Sequence, residues 1–400
     1  MRALLLILDG VGCGSVPDAP AFGDENANTL GNLLRIHPGL SLPALYALGL
    51  WKLLTADVFD ARSQGTLGRW GRMRSTAPGK DSVSGHWEIA GVTLDRPFAA
   101  TKELSTDWVR AVEADAGMKF TCAQHDGSRS VLDQFGTLHV QSKEPILYFG
   151  ADSVLEVAAH ESVLAPTRLY DVCRIVRRCA NGVPLARVIA RPFSGEPGTF
   201  RFLDHKGRDF PMVPPRTVLN AISETGLPVI GIGKIGHLFA GSGITKSTPT
   251  LSNLEGLSEI DRNWDNGDDG LIFANLSDFD RLGGHLRDPD VYARLLMEFD
   301  VWLDDFLARV ETDDLVIITS DHGNDPTFHG AAHTREEVPL LVLHGHEAGP
   351  LGTRKTYADV AATLADFFQL RQGWRVGSSF LHAAGMPVIP RKIVRRRRGR

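Results

Sequence analysis

The sequence predicts an α/β layered fold: a mainly parallel sheet flanked by helices, with a smaller α+β domain inserted into it. Three observations carry that expectation. Short apolar runs recur without polar alternation, as in strands buried on both faces. Stretches with helical apolar spacing lie between them, and such alternation of strand and helix reads as α/β layering. A middle stretch holds strands and helices of its own and ends in a cluster of Gly195, Pro197, Gly198 and Gly207.

In chain order, the first strand is Ala3–Leu8, stopped by Asp9. The insert carries helical patterns over Ser130–Phe135 and Thr167–Ala180 and strands over Ile146–Phe149 and Arg187–Ala190. Pro215–Thr225 reads as a helix, with proline in its first turn and Gly226 beyond its end. Strands follow at Pro228–Ile232 and Leu271–Asn275, separated in part by Asn263–Gly270, whose sequence NWDNGDDG reads as a surface loop. Pro289–Val310 is a helix with Leu295, Leu296, Phe299, Trp302, Leu303 and Phe306 on its apolar face. Strands at Leu315–Thr319 and Val338–Leu343 and a helix over Tyr357–Phe368 complete the pattern. The division expected is 1–94 and 211–388 for the larger domain, 95–210 for the insert, and 389–400 for a basic, disordered tail.

At 400 residues and 43% hydrophobic, the chain can bury a large core, which excludes whole-chain disorder, a collagen-like repeat and a disulfide scaffold. A net charge of −5 gives no global sign of nucleic-acid binding. The cations concentrate in Arg391–Arg400, with six Arg and one Lys, a solvated end rather than a nucleic-acid arm. Cys13, Cys122, Cys173 and Cys179 share no C-x-x-C spacing and read as reduced, mostly buried thiols, which suits the cytoplasm. The apolar run Leu4–Leu8 is too short for a signal-peptide core, and no stretch is long enough to span a membrane.

Three carboxylates share one placement. Asp9 ends the first apolar run, Asp280 follows Leu271–Asn275, and Asp321 follows Leu315–Thr319. In open α/β sheets ligands bind just outside the carboxyl ends of strands, so these aspartates would converge if the strands are neighbours. A single one of them would read as a helix cap or turn residue. His285 follows Asp280 within DFDRLGGH, and His322 and His333 follow Asp321 within DHGNDPTFHGAAHTRE. Mixed carboxylate and imidazole sets suit Mn²⁺, Zn²⁺ or Fe, and six donors are enough for two ions that clamp a phosphoryl transfer. The stretch Gly79–Gly91, GKDSVSGHWEIAG, places Ser82 and Ser84 among titratable neighbours. It reads either as a polar turn or, beside a two-metal site, as the source of a nucleophilic hydroxyl. Spacing does not choose between the two serines.

The segments LDGVGCGSVPDAPAFGDENANTLGN, GKDSVSGHWEIAG, ADSVLEVAAHE, RVIARPF, NLSDFDRLGGHLRD, SDHGNDPT and HTREEVPLLV together resemble the phosphopentomutases of the alkaline-phosphatase superfamily. The resemblance runs over nearly the whole chain, up to about residue 385. It implies an alkaline-phosphatase-like core with an inserted cap. It also implies interconversion of ribose 1-phosphate and ribose 5-phosphate, and of the deoxyribose pair, with two Mn²⁺ or other divalent ions and a sugar bisphosphate as activator. On the matching positions, Asp9, Asp321 and His322 would hold one ion and Asp280, His285 and His333 the other, with Ser82 as the phosphorylated residue. Asp152 would meet the sugar hydroxyls, and Arg187, Arg191 and Lys234 the phosphate. Asp278 and Asp325 would orient ligands, and His86 and Glu88 would order the nucleophile segment or act near it. The chain departs from the family at Ser82, where threonine is usual, at Val83, where proline is common, and at Gly150, where serine is frequent near the sugar. A metal-dependent phosphatase or a mutase for another sugar phosphate is the alternative reading. A non-catalytic phosphosugar- or nucleic-acid-associated protein is the alternative of another class.

Overall fold

The structure is a computed structural model that describes residues 1–54, 66–98, 105–123, 130–149, 154–180, 185–371 and 374–382. Among these, β1 (Arg2–Leu8) and β2 (Arg69–Met73) come first. Six strands follow in the middle of the chain: β3 (Thr121–Ala123), β4 (Ile146–Phe149), β5 (Val154–His160), β6 (Arg187–Ser194), β7 (Arg201–Phe202) and β8 (Arg208–Pro211). The last six are β9 (Val229–Ile232), β10 (Lys246–Thr248), β11 (Gly270–Leu276), β12 (Leu315–Thr319), β13 (Val338–Leu343) and β14 (Gly349–Arg354).

Eight strands form one sheet in the order β10-β9-β11-β1-β12-β13-β2-β14. The five from β10 to β12 are all parallel. β1 is buried on both faces, and the period of two along a strand divides its side chains between them. Leu4, Leu6 and Leu8 enter one core cluster; Ala3, Leu5 and Ile7 enter the other. Helices Thr29–Ile36, Asn253–Asp265 and Pro289–Leu307 cover the first face, and Ser82–Ile89, Val218–Ser223 and Asp359–Phe367 cover the second. The result is the α/β layered core that the apolar runs predict.

Three local expectations change. β13 is as uniformly apolar as β12, yet it runs antiparallel to both β12 and β2. Burial on both faces sets composition, not direction. Asn263–Asp265 is the last turn of a helix rather than loop, with Trp264 buried against Phe306 at 5.0 Å between ring centroids. Its polar neighbours mask the helical spacing of Leu257, Ile260 and Trp264. The helix expected over Pro215–Thr225 spans only Val218–Ser223, because Thr217 caps it, donating its backbone N–H to Asn220 Oδ1 at 2.9 Å.

The middle strands form a second sheet, β3-β4-β5-β6-β7, with β8 paired to β6. It has cores of its own: Thr106–Ala116 and Pro166–Cys179 pack on one face, and Ser130–Ser142, longer than the expected helix, packs on the other. Of the four free cysteines, Cys13 and Cys173 are buried, Cys179 is partly exposed and Cys122 is exposed, so only half match the buried expectation. The basic tail, 389–400, lies outside the described residues. No helix among the described residues is long and apolar enough to cross a membrane.

Candidate active site

Adjacent strands bring the aspartates together. In register Ile7 of β1 pairs with Asn275 of β11 and with Thr319 of β12. Asp9 and Asp321 each stand two residues beyond that level, and Asp280 lies on the turn Phe279–Gly284 that follows β11. Gly10 makes the convergence possible. Its φ of 76° is left-handed, and a Cβ there would lie 3.0 Å from Asp280 Oδ1 and 3.2 Å from Asn324 Cβ.

Donor atoms of Asp9, Asp321 and His322 lie within 4.8 Å of one another, and so do those of Asp280, His322 and His333. His285 Nε2 is 3.1 Å from Asp280 Oδ2 and 3.1 Å from His333 Nε2. All six expected donors therefore meet in one place. His322 stands between the two halves, its ring stacked on His333 at 3.7 Å between centroids.

Each imidazole is turned by a backbone carbonyl. His285 Nδ1 faces Ala331 O at 2.7 Å, His333 Nδ1 faces Lys80 O at 2.9 Å, and His322 Nδ1 faces Gly323 O at 3.2 Å. A carbonyl only accepts, so Nδ1 carries the proton in all three and Nε2 is left as a donor pair aimed at the carboxylates. The carboxylates are short of partners. Asp9 Oδ1, Asp9 Oδ2 and Asp321 Oδ2 are buried. The ammonium of Lys234 forms an ion pair with Asp9 Oδ2, which leaves Asp9 Oδ1 and Asp321 Oδ2 as the oxygens without a hydrogen bond. Buried acceptors left unmade are costly. Orphaned carboxylate oxygens beside imidazole Nε2 lone pairs are what a divalent cation requires, so these residues fit the metal their chemistry implies.

The electrostatics follow. Burial, and next Asp321, raise the Asp9 carboxyl well above the usual carboxylate range. Burial pushes Asp280 the same way, but His285 and His333 outweigh it and hold it well below that range. Burial lowers His322 to about 3, so its ring is neutral. His285 is raised by its bond to Asp280. Burial would lower Lys234, yet Asp9, Asp321 and Asp280 overcome it, and the side chain remains an ammonium.

The two serines separate here. Asp81 caps helix Ser82–Ile89 by accepting from Ser84 N at 2.9 Å, and Ser84 Oγ donates back to Asp81 Oδ2 at 2.7 Å. Ser84 is thereby buried and occupied. Ser82 Oγ instead lies 3.0 Å from His322 Nε2 and 3.0 Å from Lys234 Nζ. His86, four residues on, donates Nδ1–H to Ser82 O at 2.8 Å and accepts from Asn275 Nδ2 at 3.2 Å. The helix packs tightly on the candidate metal donors: a Cβ at Gly85 would lie 2.2 Å from Asp321 O.

A cleft of about 700 Å³, open to solvent, begins at Ser82, Lys234 and His333. Its far wall comes from the second sheet, with Ala186, Arg187, Asp209 and Pro211. Arg187 pairs with Asp209 at 3.2 Å there. Arg191 is directed elsewhere: it pairs with Glu156 at 3.1 Å and Asp204 at 3.6 Å, stacks over Phe202, and does not line this cleft. Four residues along β6 carry it beyond the opening. Asp152 and Gly150 lie outside the described residues.

Asp278 and Asp325 hold chain starts rather than ligands, accepting from Asn253 N at 2.7 Å and Asn28 N at 2.9 Å respectively. The ligand-orienting contact that sequence reasoning missed is Asn324 Nδ2 to Asp280 Oδ1 at 2.7 Å. Its place inside DHGND was the available signal. His237, which also lines the cleft, gave none.

The family model of the metalloenzyme superfamily matches residues 1–372. The phosphopentomutase of Deinococcus radiodurans is 45% identical over 373 residues, covering 92% of this chain and 95% of that one. The phosphopentomutase of Dictyoglomus thermophilum is 41% identical over 385 residues, covering 95% and 97%. That of Caldanaerobacter subterraneus subsp. tengcongensis is 40% identical over 392 residues, covering 97% and 99%.

Proposed function

The chain belongs to the phosphopentomutase family of the metalloenzyme superfamily, and on that premise we propose that it interconverts the 1- and 5-phosphates of ribose and of 2-deoxyribose through a phosphorylated Ser82. As a phosphopentomutase it is an isomerase, an intramolecular phosphotransferase. The observation that carries the reading is Ser82 Oγ at 3.0 Å from both His322 Nε2 and Lys234 Nζ, at the opening of the six-donor cluster.

Asp9, Asp321 and His322 are the residues for one divalent ion, and Asp280, His285 and His333 for the other, with Mn²⁺ as the proposed metal. When bound, such ions supply positive charge to the transferring phosphoryl group and its two flanking oxygens. The rest falls to the chain. Residues 95–210 serve as a cap, so that the sugar phosphate lies between it and the core. The substrate's free hydroxyl attacks the phosphorus of phospho-Ser82; the bond to Ser82 Oγ breaks, a bisphosphate forms, and the hydroxyl's proton is balanced by one taken up at Ser82 Oγ. The Lys234 ammonium donates to that oxygen and steadies it as it gains charge. Arg187 takes the phosphate that is not reacting, and Asp152 the sugar hydroxyls. After the bisphosphate turns round, Ser82 takes back the other phosphate, so a sugar bisphosphate also primes the enzyme. A cap closed over the cleft excludes water, which keeps the phosphoryl group from hydrolysis.

We place the enzyme in the cytoplasm, where its four free thiols would remain reduced. The deciding experiment supplies ribose 1-phosphate, Mn²⁺ and a trace of ribose 1,5-bisphosphate, and scores ribose 5-phosphate and free phosphate together. Isomer in excess of phosphate supports the mutase; phosphate release without isomer makes the chain a phosphatase.

A further inference from the structure

The segment from His333 to Glu337 is extended, bridged to Gly323 at Thr334 and to Ser15 at Glu336, so its side chains alternate. The even-numbered ones face the loops behind the metal donors. Thr334 Oγ1 accepts from Asp325 N at 3.1 Å, and Glu336 accepts from Thr29 N at 2.9 Å and Gly14 N at 3.1 Å. The odd-numbered ones grip the chain that leads into Ser82. His333 holds Lys80 O, and Glu337 accepts from Arg72 at 3.0 Å and Arg74 at 2.7 Å.

Arg335, 5% exposed, lies between them. Its guanidinium donates to Ser75 O at 3.1 Å, Ala77 O at 3.0 Å and Gly79 O at 2.7 Å, and its other edge is held by Asp18 at 2.9 and 3.3 Å. Residues 75–79 belong to no helix or strand, so their backbone groups need other partners. Arg335 supplies the donors. The acceptor is Glu88, which takes Thr76 N at 2.9 Å and Ala77 N at 3.0 Å. Glu88 sits on the helix that Ser82 begins. The approach to the nucleophile is thus fixed from both sides, and the clamp is continuous with His333.

We propose that Arg335 is a positioning residue for phosphoryl transfer: by holding three alternate carbonyls, those of Ser75, Ala77 and Gly79, it sets where Ser82 Oγ stands relative to the metal donors. The inference rests on Ser82 being the phosphorylated residue. A displacement of about 1 Å at a reacting atom can cost on the order of a hundredfold in rate. Lysine keeps the charge but lacks the planar fork that reaches three carbonyls and a carboxylate at once.

The test uses the full chain with Mn²⁺. Arg335→Lys is compared with wild type for kcat and KM on ribose 1-phosphate, for the rate of Ser82 labelling by ribose 1,5-bisphosphate, and for metal content and unfolding midpoint. The expected result is a loss of about tenfold or more in kcat and in labelling, with KM within about threefold and metal content unchanged. Asp18→Asn loosens the same guanidinium from a side chain that is 53% exposed and so leaves folding intact; about a threefold loss with the same pattern is expected. Wild-type kcat in Asp18→Asn, or a loss in Arg335→Lys that merely follows lost metal or lost fold, overturns the proposal. A wild-type enzyme that neither isomerises nor takes label at Ser82 overturns the functional reading itself; an active wild type beside unaltered variants overturns this inference alone.

Discussion

Ser82 Oγ donates to His322 Nε2 at 3.0 Å while His322 Nδ1 is committed to Gly323 O at 3.2 Å. One ring therefore joins the proposed nucleophile to both halves of the donor cluster. Ser82→Ala is expected to abolish isomerisation and phosphate labelling. Ser84→Ala, which removes only a cap contact to Asp81, is expected to keep labelling and to lose about 1 kcal/mol of stability. Mass measurement of the phosphorylated protein and thermal unfolding check the pair.

His285 illustrates how protons compete with metal. Its folded pKa is raised above the ordinary imidazole value by Asp280, so its Nε2 is protonated in the metal-free protein at pH values where a free histidine would already be neutral. Metal affinity should therefore weaken as pH falls, starting above the usual histidine range of about 6.5. Titration of Mn²⁺ binding at several pH values checks this, and affinity that is flat between pH 8 and about 6 would contradict it. His333→Ala should lose metal at every pH, read by elemental analysis.

Lys234 couples Asp9 to Ser82 through one ammonium. Because three carboxylates raise it, no loss of its charge is expected below its ordinary value of 10.5. Lys234→Met should lower kcat by about 10²–10³, the scale for one preorganised charged donor, with metal retained. Steady-state kinetics beside elemental analysis separates the two effects.

Gly85 offers a test of opposite sign to ordinary helix propensity. Alanine in a helix interior is usually about 1 kcal/mol better than glycine. Here the added Cβ would press on Asp321 O at 2.2 Å, backbone that cannot swing aside. Gly85→Ala should cost about 1–3 kcal/mol and reduce metal content, read by unfolding and elemental analysis.

Much of this was legible because strand ends announce themselves. Flat apolar runs stopping at Asp9 and just before Asp321 place both carboxylates at one edge, the motif DHG…HTRE supplies His322 and His333, and DFDRLGGH supplies His285. What stayed hidden depends on contacts between distant segments. Nothing in GKDSVSGHWEIAG distinguishes Ser82 from Ser84 until Asp81 is seen closing on the latter. The direction of β13 and the outward turn of Arg191 are likewise set by pairing partners and not by composition. Arg335 read only as part of a motif, because its work is done on carbonyls, which no side-chain pattern displays.

The central position of β1 has a consequence for biosynthesis. Its two neighbours, β11 and β12, are the segments Gly270–Leu276 and Leu315–Thr319, so the first strand made leaves the ribosome roughly 260 residues before either partner exists. At ordinary translation speeds of about 5–20 residues per second it waits tens of seconds as an unpaired apolar edge. The middle sheet, by contrast, draws on nearby stretches of chain and can close first. A nascent chain arrested before β11 should therefore protect the insert from protease while holding Arg2–Leu8 only through a chaperone.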